Sequence, residues 1–168
     1  MSRIADAILP EDESGAINNN LHRTLANNPA METHFAALAR GVHTTSHLPH
    51  RTRELVILRV ASTLRAEVEW AQHFRIAQIV GITPEEARAV RDGDLGSFTP
   101  AEQAAIRFAE AVDQTRVNDA AWREASQHFS DVELLDLAVL AGFYGLASRV
   151  TLAMGIAVDE GLSCIDES

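Results

Sequence analysis

Three helix-start signals divide the second half of the chain into helices and leave little room for any other structure. Thr83-Pro84-Glu85-Glu86, Thr99-Pro100-Ala101-Glu102 and Ser130-Asp131-Val132-Glu133 each put a hydroxyl three residues ahead of a glutamate. In that arrangement the hydroxyl accepts from the third helical amide. The glutamate reaches back to the amide of the capping residue, so two otherwise unpaired donors are satisfied together. The two prolines fit the first helical position, where the missing N–H would have been unpaired in any case. These signals predict helices from Thr83 to about Arg91, from Thr99 to about Gln114 and from Ser130 to about Ala157. The apolar side of the second is Ile106, Phe108, Ala109 and Val112. Asp92 to Gly96 breaks the chain between the first two. Asn118-Asp119 opens another helix, carrying Trp122 and ending near Phe129. Gly142, Gly145 and Gly155 either weaken the last helix or let a neighbour approach it closely.

The first half follows the same period. Ser14 to Asn27 spaces Ile17, Leu21 and Leu25 by four, and Asn28-Pro29 caps and starts a second helix to about Val42. Met31, Phe35, Leu38 and Val42 recur on it at helical spacing. HTTSHLPH forms a loop before RTRELVILRVASTLRAEVEWAQHFRIAQIVG, Arg51 to Gly81, which reads as two helices meeting near Arg65-Ala66. Strand alternation is nearly absent, and no linker, repeat or low-complexity tract interrupts the pattern. The expectation is an all-α bundle of about eight helices. At 168 residues it forms a single domain, 1–168, with its core at about 30–160.

The last predicted helix is apolar on almost every side, through Leu134, Leu135, Leu137, Val139, Leu140, Phe143, Tyr144, Leu146, Val150, Leu152 and Met154. One small domain can hardly cover all of it, so burial against a second copy, a homo-oligomer, is expected. Its most apolar run, Leu137 to Ser148, lies between Asp136 and Arg149 and is too short to span a bilayer. A formal charge of −10, from 14 Lys and Arg against 24 Asp and Glu, repels nucleic acid and anionic lipid alike. The partners expected are therefore a small-molecule substrate and other copies of the chain, with no nucleic acid and no membrane. Cys164 is the single cysteine, which rules out an internal disulfide. The first residues, MSRIADAILPEDESG, lack the apolar run of a signal peptide. A cytoplasmic protein is the expectation.

Chemistry concentrates on the central pair of helices. Glu69 and His73 are four apart, one turn above each other on one face, and Glu54 lies on the preceding helix. Carboxylate beside imidazole is the usual equipment for moving a proton near neutral pH. Competing readings are a solvated ion pair, a first-turn acid for Glu54 and a satisfied core histidine for His73. Trp70 could serve as a substrate platform or as core. Tyr144 could donate to a substrate oxygen, and Arg149 could bind a substrate carboxylate or pair with an acid. His43, His47 and His50 are spaced so that three imidazoles could meet a metal. The His47-Leu48-Pro49 break disturbs that register, and no metal is expected.

LPHRTRELVILRVASTLRAEVEWAQHFRIAQIVGITPEE resembles the core of the carboxymuconolactone decarboxylase family, which includes the alkylhydroperoxidase D-like proteins. The shared elements are Pro49, Arg53-Glu54-Leu55, Glu69-Trp70, His73 and Gly81-Ile82-Thr83. Further on, Leu134 to Gly145 is similar to the family's E-L-x-x-L…G-x-Y segment. The resemblance covers about residues 30 to 160. It implies an all-α fold that assembles into trimers or hexamers, small-molecule chemistry, and no metal or organic cofactor. In the redox-active branch a helix bears C-x-x-C with a histidine four residues after the second cysteine, and a glutamate on the preceding helix helps relay protons. That glutamate matches Glu54 and the histidine matches His73.

The cysteine positions fall on Ala66 and Glu69, so both thiols are missing. Thiol-based peroxide reduction needs a thiolate nucleophile and a resolving thiol, which Cys164 alone does not supply. The resemblance therefore points to the branch that includes the lactone decarboxylase. The expected function is a cofactor-independent lyase or isomerase acting on a small carboxylated or lactone metabolite, with Glu54, Glu69 and His73 moving the proton. A non-catalytic oligomeric small-molecule-binding protein is the alternative. A peroxidase is the least favoured reading.

Overall fold

The structure, a computed structural model, describes residues 19–165. Among them are eight helices and no strand: α1 Asn20–Leu25, α2 Pro29–Thr44, α3 His50–Leu64, α4 Glu67–Ile79, α5 Pro84–Asp92, α6 Pro100–Asp113, α7 Asp119–Ala125 and α8 Asp131–Met154. All three capping boxes form, at Thr83, Thr99 and Ser130. The Asn28 side chain caps α2 by accepting from the Met31 amide.

Several boundaries differ from the sequence expectation. α1 is a short helix capped by Asn19, and the expected positions 14–18, with Ile17, lie outside the described residues. α7 stops at Ala125 rather than near Phe129, and α8 stops at Met154. There Gly155 takes the left-handed conformation (φ 62°) and caps the helix end, an arrangement that glycine allows without a side-chain clash. Of the four apolar residues expected to line α2, Phe35 and Val42 are buried, but Met31 and Leu38 are exposed. α2 lies at the rim, packing mainly on α1 and α8, so one stripe of it stays uncovered.

α3 is the central helix, packed against α4, α5, α6 and α8. That position explains why Leu55, Val56, Ile57 and Leu58, four successive residues pointing in four directions, are all fully buried. They feed two apolar clusters. Val56 and Ile57 join Phe108, Leu137, Leu140 and Tyr144, whereas Leu55 and Leu58 join Trp70, Ile82, Val90 and Ile106. Charged ties fix the helix from outside. Arg51 donates to Glu86, Glu102 and the Gly81 carbonyl, and Arg59 to Glu110 and the carbonyls of Val90 and Arg91.

α8 packs Leu134, Leu137, Leu140, Ala141, Tyr144 and Ala147 into the interior and leaves Val132, Leu135, Val139, Leu146 and Leu152 exposed. By length and composition alone it is long enough to cross a membrane, a property not evident in the shorter run from Leu137 to Ser148. Half of its apolar window is buried within the bundle, as in the core helix of a globular fold. Gly145 lets a polar tie cross close to the helix: an added Cβ would stand 2.7 Å from both Arg149 Nη1 and Asp113 Oδ1.

Candidate active site

One residue makes the turn that builds the site. Arg65, after the last residue of α3, adopts the left-handed conformation (φ 53°), its amide bonded back to α3 carbonyls, and Ala66 then opens α4. So short a connection folds α4 back against α3. Glu54 of α3 and His73 of α4 then face each other: His73 Nδ1 lies 2.7 Å from Glu54 Oε2, with side-chain exposures of 7% and 5%. With Glu54 ionised, the bond requires Nδ1 to carry the hydrogen, which leaves Nε2 as the ring's acceptor. This is the geometry by which a carboxylate fixes the tautomer of a general base.

Glu69 lies one turn before His73 on α4 and is 2% exposed, and its Oε1 has no hydrogen-bond partner. Burial pushes its carboxyl up to about 7, a shift that the nearby His73 opposes. A buried acid left half unsatisfied is costly to hold as a structural element and suits a group that exchanges a proton. The structure thus brings Glu54 and His73 into direct contact and sets Glu69 alongside.

Tyr144 of α8 covers this group. Its ring meets His73 edge to face, centroids 4.7 Å apart, and its hydroxyl lies 2.6 Å from His43 Nε2. Burial, then the charges of Glu69 and Glu54, hold the phenol well above its ordinary value, so it stays protonated. His43, at the end of α2, stacks parallel to His73 with 6.1 Å between centroids. Burial lowers its pKa, and the His73 charge adds to the effect.

Trp70 and Arg149 are placed elsewhere. Trp70 is wholly buried in the cluster with Leu55, Leu58 and Ile82, its ring stacked on Phe74, so it builds the core. Arg149 follows Tyr144 by five residues, which turns it about 140° around the helix. It pairs with Asp113 at 2.9 Å and lines a separate cavity of about 390 Å³ with Leu25, Met31 and Met154. A second cavity, of about 340 Å³ and lined by Ser62, Arg65 and Arg91, also lies away from the Glu54–His73 pair. The three candidate histidines part company: His43 on α2 bonds Tyr144, His47 in the loop bonds Asp136, and His50 opens α3. Among the described residues no group of three or more His, Cys, Asp or Glu is arranged to hold a metal.

In the sequence His43 stands out only as a possible metal ligand, and Arg53 has no role of its own. The signal for His43 was present, because Phe35, Ala39, Val42 and His43 follow the i, i+4, i+7, i+8 spacing of a buried helix face.

Comparison with known proteins agrees with this architecture. The model of the carboxymuconolactone decarboxylase family matches residues 29–111. A peroxidase-related protein from Ralstonia eutropha JMP134, described as an alkylhydroperoxidase AhpD core, is 24% identical with a TM-score of 0.76. That alignment covers 84% of this chain and 77% of the other. A peroxidase-related protein from Silicibacter sp. TM1040 is 17% identical with a TM-score of 0.77, covering 83% and 76%. The debrominase Bmp8, as a cysteine-to-alanine variant in complex with 2,3,4-tribromopyrrole, is 18% identical with a TM-score of 0.75, again covering 83% and 76%. No curated protein matches. Fold, family match and the spacing of Glu54 and His73 converge: residues 29–111 match the carboxymuconolactone decarboxylase family, and the chain has the alkylhydroperoxidase D-like fold.

Proposed function

We propose that the protein is a cofactor-independent lyase or isomerase that moves a proton on a small carboxylated or lactone metabolite. The observation that carries this reading is the buried Glu54–His73 bond with the unpartnered Glu69 oxygen one turn away. Glu54 orients His73, whose Nε2 accepts or returns the proton. Glu69, its carboxyl pushed up to about 7 by burial, serves as the second acid. In an isomerisation one of the two removes a proton from carbon and the other supplies one elsewhere. In a decarboxylation the C–C bond to the carboxylate breaks and CO2 leaves. The electron pair passes into the conjugated lactone as a dienolate, and carbon is protonated by His73 or Glu69.

Glu69 also separates this reading from peroxidase chemistry, because it and Ala66 occupy the family's two thiol positions. A proton-transfer role is favoured over simple binding by the orphaned Glu69 oxygen, since a binding protein gains nothing from a buried acid held near neutrality. The working form proposed is a cytoplasmic trimer or hexamer, with the exposed apolar residues of α8 covered by other copies. The test is turnover of lactone acids by wild type and His73→Gln. Undiminished turnover by the variant on a substrate that the wild type consumes would sink the proposal.

A further inference from the structure

Three buried side-chain atoms among the described residues have no hydrogen-bond partner: Arg53 Nε, Glu69 Oε1 and Ser148 Oγ. They come from three different helices, and the first two border one centre. Arg53 immediately precedes Glu54, Glu69 lies one turn before His73, and Ser148 lies one turn after Tyr144. The charges of Arg53 and Glu69 both act on the Tyr144 phenol, and that of Arg53 also acts on His43. Buried polar atoms are nearly always paired, so orphans gathered at one place call for a shared cause.

Glu69 has its use in proton transfer, but Arg53 has none so far. It is 5% exposed, and its side chain donates from Nη1 to the His43 carbonyl at 2.8 Å. No carboxylate among the described residues lies within ion-pairing distance of it, and its neighbour Glu54 is engaged by His73. A guanidinium sequestered from water with no counter-ion is one of the costlier things a fold can hold. Since Nη1 is occupied, Nε and Nη2 form the remaining edge of the fork, the edge that fits a carboxylate in a bidentate pair.

We propose that Arg53 is the anchor for a substrate carboxylate, held beside His43 and Tyr144 within reach of the Glu54–His73 dyad. This rests on the proton-transfer reading above and narrows its substrate class. An arginine clamped on a departing carboxylate stabilises the ground state more than the transition state and slows its loss. The carboxylate that Arg53 holds is therefore one that the product keeps. A decarboxylation substrate must then carry two carboxylates, and an isomerisation substrate needs one.

The test reads binding rather than turnover, with acetate as the probe and acetamide as its neutral isostere. In protein labelled with 15N at arginine Nε, acetate is expected to shift the Arg53 Nε–H signal and to saturate, with Kd on the order of 1–10 mM, as suits so small a ligand. Acetamide is expected to leave the signal in place. Thermal stabilisation by acetate should vanish in Arg53→Met and persist in part in Arg53→Lys. An Arg53 signal unmoved by acetate, an equal response to acetamide, or an Arg53→Met protein stabilised like wild type would each overturn the anchor. If Arg53→Met does not fold, the titration of wild type decides. The His73→Gln protein should still bind acetate. Turnover unaffected by that change ends the proton-transfer reading alone, and a silent Arg53 ends the anchor alone.

Discussion

His43 and His73 lie with their rings parallel, 7° between planes and 6.1 Å between centroids, although they belong to α2 and α4. Only one of them is bonded to a carboxylate. His73 is held by Glu54, whereas His43 faces the Tyr144 hydroxyl with its pKa depressed by burial. Two adjacent imidazoles are thus given different partners, a carboxylate for one and a phenol for the other.

Replacement of His73 by glutamine keeps an amide able to donate to Glu54 and removes the ring's capacity to carry a proton. Turnover on the true substrate is expected to fall by roughly 10²–10⁴. The melting temperature should change little, because no large apolar volume is lost. A satisfied core histidine would give the opposite pattern, and both measurements are made on one sample.

Glu69 makes stability depend on pH in an unusual direction. Its folded-state pKa of about 7 lies above the ordinary 4.5, so between those values the folded protein holds the proton more tightly than the unfolded chain. Stability is therefore lost as pH rises through this window, by up to about 3 kcal/mol from this group. Glu69→Gln should flatten the dependence, raising the melting temperature relative to wild type at pH 8 much more than at pH 4.5. Parallel pH profiles of the two proteins would contradict this assignment.

The exposed face of α8 predicts assembly. Val132, Leu135, Val139 and Leu146 are each between 41% and 62% exposed, and they recur at spacings of three, four and seven, which is one continuous stripe. Light scattering should give a mass several times the 18.3 kDa of the chain at micromolar concentration, and Leu135→Glu with Leu146→Glu should reduce it. A wild-type monomer across that range contradicts the expectation.

Sustained peroxide turnover with dithiol reductants is not expected, because Ala66 and Glu69 stand at both thiol positions. Turnover that is present in wild type and disappears in Cys164→Ser would restore the peroxidase reading.

Gly145 supplies a packing test. A Cβ there would press on Asp113, whose side chain is only 4% exposed, so Gly145→Ala is expected to cost about 1–3 kcal/mol despite alanine's better helix propensity. Gly41→Ala, with nothing within 4 Å of the added carbon, should instead stabilise α2 by about 0.5–1 kcal/mol. Thermal or denaturant melts of the two variants settle the sign of each.

The helices were readable because their starts are encoded locally: three capping boxes and an Asn-Pro step need only four residues each. Their ends were less so. α7 stops at Ala125, where Ser126 bonds back to the Trp122 and Arg123 carbonyls, and α8 at Met154, where glycine caps it, and hydrophobic period alone reveals neither. Glu54 and His73 were legible because the two helices that bear them are consecutive. Arg149 pairs with an acid, Asp113, as one of its two expected readings had it, and its angular position five residues beyond Tyr144 puts it on another face. Arg53 and His43 acquire meaning only when α2, α3 and α8 are brought together, and no spacing within one helix encodes that meeting.

The two layers of the site close chain loops of very different length. The Glu54–His73 bond joins residues 19 apart, and the His43–Tyr144 bond residues 101 apart. Loop-closure entropy alone makes the longer closure costlier by about 1.5 kcal/mol. Because α2 is also the loosely packed rim helix, His43 is expected to part from Tyr144 under mild denaturation before the dyad separates. The first partly opened form expected is one in which the Glu54–His73 bond is intact and His43 has withdrawn from the Tyr144 hydroxyl.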